Sequence, residues 1–494
     1  MVRPLYDYLA NLSSGRVLVV GDLMLDRYIY GSVDRISPEA PVPVLTVKRR
    51  SEMAGGAANV AGNIASLGTN VGLVGFVGAD VAGEALRGFA ARLGIDSKGL
   101  VQRQECPTTI KTRLVAQNQQ VLRMDEEMVT RSSLEDRSSL IGKVRENLAG
   151  VDVVTLSDYG KGVLTDGAAG EIISAARQAG CMILIDPKGR DYTRYRGADI
   201  ITPNLHELAE ATGMPVQGDQ AVVSACRSLI GRCGFEAVVA TRGKEGLSVV
   251  TAETIEHIPA SAREVFDVSG AGDTVLATLS CALAGGVPLV EAARLANAAG
   301  GLVVGKIGTS QITRAELAAV LLRQEAGFDD SKILLFEEAS RRVAEWRGEG
   351  LKIGFTNGCF DLLHPGHVSL LRQARHSCDR LVVGLNSDDS VRRLKGPLRP
   401  VQNEIARATV LASLTSVDMV VIFHDDTPLR LIEAFRPDVL VKGADYRLDQ
   451  VVGADAVEAA GGTVVLAKLS AGHSTSTTIE RMCRHAETDG AGLV

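Results

Sequence analysis

Asp267-Val268-Ser269-Gly270-Ala271-Gly272-Asp273-Thr274 runs directly into an apolar stretch, Val275 to Leu283, that reads as helix. Glycines let the backbone come close to an anion. A helix beginning there aims its unpaired N–H groups and the positive end of its dipole at the same spot. Asp273 adds a carboxylate, placed to take a proton from a hydroxyl about to attack a phosphate. An ordinary helix start, with Asp273 or Thr274 as the cap, fits the octet as well. The rest of the chain has to separate the two readings.

A chain of 494 residues exceeds one ordinary core and predicts roughly two or three domains. Its 46% apolar and 23% charged residues describe a soluble globular protein. A net charge of −6 argues against nucleic-acid binding through an overall basic field. The eight cysteines form no CxxC pair and no Cys/His cluster at zinc spacing, so reduced thiols in a cytoplasmic protein are expected. Met1 to Ser14 lacks the apolar core of a signal peptide, and no stretch reaches the roughly 18 apolar residues of a membrane helix.

Upstream of the octet, Arg16-Val-Leu-Val-Val-Gly21 reads as a buried parallel strand, with Asp22 and Asp26 beyond its carboxyl end. Ser37 to Val44 is proline-rich and cannot be helix. Ala54-Gly55-Gly56-Ala57-Ala58-Asn59-Val60 opens a helix to about Leu67; the glycines suit either ligand approach or tight packing. Thr109–Val115 and Val121–Met124, around a polar Gln117–Gln120 turn, predict a hairpin placed like a lid. Strands at Val151–Leu156, Met182–Asp186, Ile200–Thr202 and Ala237–Thr241 alternate with helical patterns, the mark of a doubly wound α/β sheet. Asp186-Pro187-Lys188, Asn204-Leu205-His206-Glu207 and Thr241-Arg242-Gly243-Lys244-Glu245-Gly246 all fall at carboxyl ends of successive strands, where such sheets bind ligands.

These motifs resemble the ribokinase (PfkB) sugar-kinase family over about residues 10–320. Gly55–Asn59 is similar to its N-terminal signature, Asp267–Asp273 to its C-terminal one, Asn204–Glu207 to its Asn-x-x-Glu motif and Thr241–Gly246 to its nucleotide loop. Ser269 stands where the family more often has threonine. The resemblance implies a ribokinase-like sheet with a small β lid, and Asp273 as general base. It implies Gly270, Ala271 and Gly272 as an anion hole, and ATP and phosphate contacts from Asn204, Leu205, His206, Glu207, Thr241, Gly243 and Gly246. Glu207 would hold Mg²⁺ indirectly, and Asp26, Gly55, Gly56, Asn59 and Lys188 would face the sugar.

A second pattern begins after Leu322. Residues 326–349 read as a linker with a leading helix from Lys332 to about Arg347, followed by a domain over 350–482 and a tail, 483–494, expected to lack order. Lys352–Thr356 is a strand, and Asn357-Gly-Cys-Phe-Asp-Leu-Leu-His364-Pro365-Gly366-His367 turns into a helix with proline in its first turn. His364 and His367 stand three apart and can point at one anion. A metal site would need a third ligand, and no close His or Cys offers one. Further strands are read at Arg380–Asn386, Met419–Phe423 and Asp438–Lys442. Arg392, Arg393, Lys395, Arg399 and Arg407 form a basic group suited to a triphosphate, or a solvated face. Lys442 ends a strand, and Ser474-Thr475-Ser476 precede a helix pattern able to bind phosphate oxygens.

This half resembles the nucleotidyltransferase superfamily with a His-x-Gly-His motif, a Rossmann-like α/β fold. The resemblance implies catalysis by His364 and His367 and ATP binding by Thr356, Asn357, Gly358, Phe360, Arg399, Lys442, Ser474, Thr475 and Ser476. The fused pair is similar to the bifunctional heptose kinase/adenylyltransferase family of bacterial lipopolysaccharide core synthesis. That implies heptose 7-phosphate phosphorylated at O1 and heptose 1-phosphate converted to ADP-heptose, with ATP as co-substrate and Mg²⁺ as cofactor. Small-molecule substrates, no nucleic acid, no membrane and a homodimer are the matching expectations for partners. Lys111, Arg113, Lys188 and Arg190 are candidates to meet the 7-phosphate. A kinase for another sugar fused to a cytidylyltransferase, or a non-catalytic nucleotide-binding module, are the alternative readings.

Overall fold

The computed structural model describes residues 4–467, except 117–118, 129–132, 166, 262–268, 307–309, 326–331, 445–446 and 448–449. Asp267 and Val268, the core of the expected linker, Ser474–Ser476 and the tail therefore lie outside the described residues. The chain divides into two compact units, Met1–Leu317 and Ala318–Val494. The expected kinase limit at 325 falls in the same helix, Arg314–Glu325, as this division.

In the first unit the strands are β1 (Arg16–Gly21), β2 (Leu23–Ile36), β3 (Pro43–Gly56), β4 (Asn70–Gly78), β5 (Asp96–Arg103), β6 (Thr109–Ala116), β7 (Gln119–Glu126), β8 (Val153–Ser157), β9 (Met182–Asp186), β10 (Ile200–Ile201), β11 (Ala237–Thr241), β12 (Leu247–Thr251) and β13 (Ile255–Ile258). Nine of them form one sheet in the order β13-β12-β11-β10-β9-β8-β1-β4-β5, in which only β12 runs against the rest. Val17, Leu18, Val19 and Val20 of β1 are all buried, as a strand covered on both faces requires. From β1 the chain first adds β4 and β5 on one side, then returns to add β8 to β11 on the other. The order thus reverses between β1 and β8, and an open α/β sheet has its ligand crevice outside the carboxyl ends at such a point. Gly21 lets the two strand ends close up there: a Cβ would stand 2.1 Å from the Ser157 carbonyl oxygen.

A second sheet has the order β3-β2-β6-β7. The expected hairpin is β6–β7, and it lies parallel to β2 through β6. The long β2–β3 ribbon was not legible in the sequence, because Asp26, Arg27, Asp34 and Arg35 interrupt any apolar alternation. The helix Ala57–Ser66 begins just after Gly56, whose φ of 58° suits glycine. The helix Ala271–Ala284 is buried from Asp273 to Ala282, which makes it a core helix on all sides.

The second unit has β14 (Ile353–Gly358), β15 (Arg380–Asn386), β16 (Met419–Phe423), β17 (Val439–Gly443) and β18 (Thr463–Ala467), all parallel, in the order β16-β15-β14-β17-β18. Its switch point lies between β14 and β17, so Gly358 and Gly443 open onto one crevice. Apolar clusters cover the sheet, one around Leu371, Leu381 and Val441, another around Phe355, Phe435 and Leu440. The leading helix starts at Phe336, not Lys332. Ile333 instead bridges Val420, with Leu334 N–H donating to the Val420 carbonyl and Val420 N–H to that of Lys332. Edge pairing outcompetes helix propensity there.

Candidate functional sites

Asp273 is the third residue of its helix, after Gly270 with φ 78°. It caps nothing. Asn59 Nδ2 donates to one carboxylate oxygen at 2.7 Å and the Tyr159 hydroxyl to the other at 2.6 Å. Burial raises its pKa to about 6; the two donors oppose that shift, Asp26 adds to it and Lys111 offsets it. A carboxyl held near neutrality is suited to accept a proton and release it again.

Asn59 was expected to face the sugar; the structure places its amide on Asp273. Asp26 is buried and paired with Arg113 at 2.5 Å. Gly55 and Gly56 make this possible by close approach. A Cβ on Gly55 would stand 2.5 Å from Asp26 Oδ2, and one on Gly56 2.5 Å from the Asp22 carbonyl. The Asp22 carboxylate is fully used by backbone: the N–H groups of Tyr159, Lys161 and Val163 donate to it at 2.8, 2.9 and 3.1 Å. It therefore anchors a loop, and a ligand role for it is corrected to a structural one.

A cavity of about 210 Å³ opens beside Asp273, lined among others by Tyr159, Asp186, Lys188, Asn204, Glu207 and Gly272. Asn204 and Glu207 cap one another: Glu207 N–H donates to Asn204 Oδ1 at 2.9 Å, and Asn204 N–H to Glu207 Oε2 at 3.1 Å. The motif is thus first a capping box. It leaves Glu207 Oε1 to Lys188 Nζ at 3.1 Å, so Lys188 sits with the phosphate-side residues instead of with Asp26. Burial holds the Asp186 carboxyl well above its usual range, with Glu207 and Asp273 adding to the shift. The cluster carries more negative charge than Lys188 neutralises. Carboxylate oxygens of this kind suit a hard dication that takes its other ligands from phosphate oxygens and water, not one held by the protein alone.

Two expected contacts are corrected. His206 is 82% exposed in its side chain, near Glu210, and Leu205 packs against the core. Neither lines the cavity. Thr241 does line it, whereas Gly243 and Gly246 shape the following turn with φ of 56° and 93°. Arg190 pairs with Glu210 at the surface. Tyr159 was missed, although Asp158-Tyr159-Gly160-Lys161-Gly162 follows β8 with the same glycine-rich, strand-end signal read elsewhere.

In the second unit His364 is the N-cap and Pro365 the first residue of the helix Pro365–His376. The two imidazoles stack with centroids 3.8 Å apart and planes 23° from parallel. Burial, then His364, pushes the His367 pKa down to about 4, so it is neutral at pH 7. Phe360, buried at φ 43°, packs its ring 5.2 Å from His367 and within contact of Gly358. It supports the histidines from the side of β14. Thr356 is buried, and Lys442 Nζ donates to Asn357 Oδ1 at 2.5 Å, drawing β17 toward the end of β14.

Arg407 is not free to meet a triphosphate. It is 1% exposed and donates to the carbonyls of Gln402, Cys359 and Asn386 and to Asp388. It pins three segments of the site together. Arg399 is held by Asp361, and Arg393 by Asp426 and the His424 carbonyl. Among the described residues no group of three His, Cys, Asp or Glu could hold a metal ion, and no helix is long and apolar enough to cross a membrane.

Residues 14–315 match the family model of pfkB family carbohydrate kinases, and 355–481 that described as cytidylyltransferase-like. Phosphofructokinase-2 from Escherichia coli has the fold of the first unit, with TM-score 0.55 and 20% identity over 63% of this chain and 99% of that one. The bifunctional protein HldE of Rhodospirillum rubrum is 53% identical over 97% of both chains, and that of Mesorhizobium japonicum 54% identical over 97% of both. The chain belongs to the HldE family and is a bifunctional enzyme, a heptose 7-phosphate kinase and heptose 1-phosphate adenylyltransferase in one polypeptide.

Proposed function

We propose that each unit runs one of the two reactions with its own residues, and that they differ in how the attacking oxygen is prepared. In the first, Asp273 takes the proton from O1 of D-glycero-D-manno-heptose 7-phosphate as that oxygen attacks the γ-phosphorus of ATP. The N–H groups at Gly270–Gly272 face the transferred phosphoryl group, where charge builds up. Asn204 and Glu207 would hold Mg²⁺, which when bound neutralises the triphosphate. Asp26, Gly55 and Gly56 form the sugar side, with Lys111 and Arg113 nearest to it. The buried Asp273 carboxylate, clamped by Asn59 and Tyr159, carries this reading.

The product is a 1,7-bisphosphate, so a separate phosphatase reaction must remove the 7-phosphate before the second step. In the second unit the 1-phosphate oxygen attacks the α-phosphorus of ATP and pyrophosphate leaves. His364 and His367 donate to phosphate oxygens, and Lys442, Arg399 and Ser474–Ser476 complete the phosphate contacts. The domain limits 1–325 and 350–482, a cytoplasmic location and a homodimer belong to the same reading. The exposed Val121, Leu122 and Met124 of β7 support self-association through the small sheet.

The test is incubation of the full chain with ATP, Mg²⁺ and heptose 7-phosphate, and separately with heptose 1-phosphate. The expected products are heptose 1,7-bisphosphate with ADP, then ADP-heptose with pyrophosphate. ADP release without a sugar bisphosphate would overturn the kinase half, and CMP transfer in place of AMP the other.

A further inference from the structure

The general base has a neighbour that none of the family motifs supplies. Tyr159 lies in the loop after β8, and its hydroxyl donates to Asp273 Oδ1 at 2.6 Å. Its place is fixed from below, since its own backbone N–H donates to the buried Asp22 carboxylate, which also holds Lys161 and Val163. The preceding residue, Asp158, receives the Tyr195 hydroxyl at 2.7 Å and an ion pair from Arg194. Tyr195 in turn accepts the Lys188 N–H at 3.1 Å. Asp158 and Tyr159 therefore connect Asp273 to the loop that carries Lys188, another residue lining the cavity.

We propose that Tyr159 is a positioning residue for the kinase reaction, which fixes the Asp273 carboxylate in line with the sugar hydroxyl and favours its ionised form. The proposal rests on Asp273 being the base. With Asn59 on one oxygen and Tyr159 on the other, the carboxylate plane cannot rotate, and each oxygen keeps one lone pair for the substrate proton. The groups facing this carboxyl are Asp26 from β2, Lys111 from β6, Asp186 from β9, Asn59 from its helix and Tyr159 itself. Burial and Asp26 oppose ionisation of Asp273; Tyr159, Asn59 and Lys111 favour it. The phenol stays protonated, because burial and Asp273 raise its own pKa well above the ordinary value. Lys111 Nζ sits 5.4 Å from the ring centroid, a cation–π contact that phenylalanine would keep.

The experiment is the pH profile of kinase turnover for the full-length wild type, Tyr159→Phe and Asp273→Asn, with adenylyltransferase activity read on the same samples. In Tyr159→Phe, removing one donor from the carboxylate should move the acidic limb up by roughly half to one pH unit. kcat at neutral pH should fall roughly 10-fold through lost alignment, while KM for heptose 7-phosphate and adenylyl transfer stay at wild-type values. A profile lowered uniformly but not shifted, or one unchanged, overturns the role given to Tyr159 if Asp273→Asn is inactive. An Asp273→Asn enzyme that still turns over would bring down the base assignment itself, and this proposal with it.

Discussion

The two sites sit at equivalent points of two parallel sheets, yet their electrostatics are opposite. Around Asp273 are acids, Asp26 and Glu207 buried and Asp186 partly exposed, with Lys111, Arg113 and Lys188 interleaved. Around His364 and His367 the imidazoles stack, His367 held neutral at pH 7, with Lys442 close to the strand end and no described acid acting as a base. The chemistry accounts for the difference. A sugar hydroxyl must lose its proton to attack, so the kinase needs a carboxylate tuned toward neutrality. A sugar phosphate is already an anion, so the second site needs donors and cations and gains nothing from a base.

Substitutions can break that contrast. Asp273→Asn keeps the shape and removes the base; kinase turnover should drop roughly 10²–10⁴-fold, with adenylyl transfer unchanged in a pyrophosphate-release assay. Comparable kinase rates in the variant would end the contrast. His367→Ala should do the reverse, lowering adenylyl transfer roughly 10²–10³-fold and sparing the bisphosphate product. Arg407→Ala leaves Asp388 and three carbonyls without their buried partner, and calorimetry should show the second unit destabilised by about 3–5 kcal/mol. If only nucleotide affinity changed, Arg407 would return to the triphosphate site.

The pH dependence sharpens the same contrast. Asp273, raised to about 6, must be ionised to act, so kinase turnover should fall as pH drops through about 6. Adenylyl transfer has no such carboxylate and should show no loss with that midpoint. His367 has its folded pKa depressed, so the unfolded chain binds the extra proton between its ordinary value of 6.5 and about 4. The second unit should therefore lose stability as pH falls through that window, visible as a lower Tm. The smallest effect is expected from Arg190→Ala. Its partner Glu210 is a surface one, worth about 0–1 kcal/mol, and KM for heptose 7-phosphate should not move. Lys111→Ala should raise it.

Much of the fold was readable because parallel strands buried on both faces are continuous apolar runs. Met182–Asp186, Ala237–Thr241, Arg380–Asn386 and Met419–Phe423 stand where the sequence places them. The β2–β3 ribbon escaped because one side faces solvent and charges break its pattern. Among site residues, glycine-rich strand ends and the histidine pair were legible as local motifs. The roles of Tyr159 and Asp22 were not, since their partners lie 114 and 137–141 residues away.

The sequence by itself determined two α/β units, a glycine-rich helix start at Asp273 and a histidine pair, His364 and His367, at the start of another helix. Those follow from residue types at short spacing, which backbone geometry converts directly into local structure. Only the tertiary structure decided which side chains were left for chemistry. Folding committed Asp22 to a loop, Arg407 to three segments and Asn59 to the Asp273 carboxylate, and it brought Tyr159 onto the same carboxylate. A buried polar group must find a partner, and that partner is chosen by the packing of distant segments.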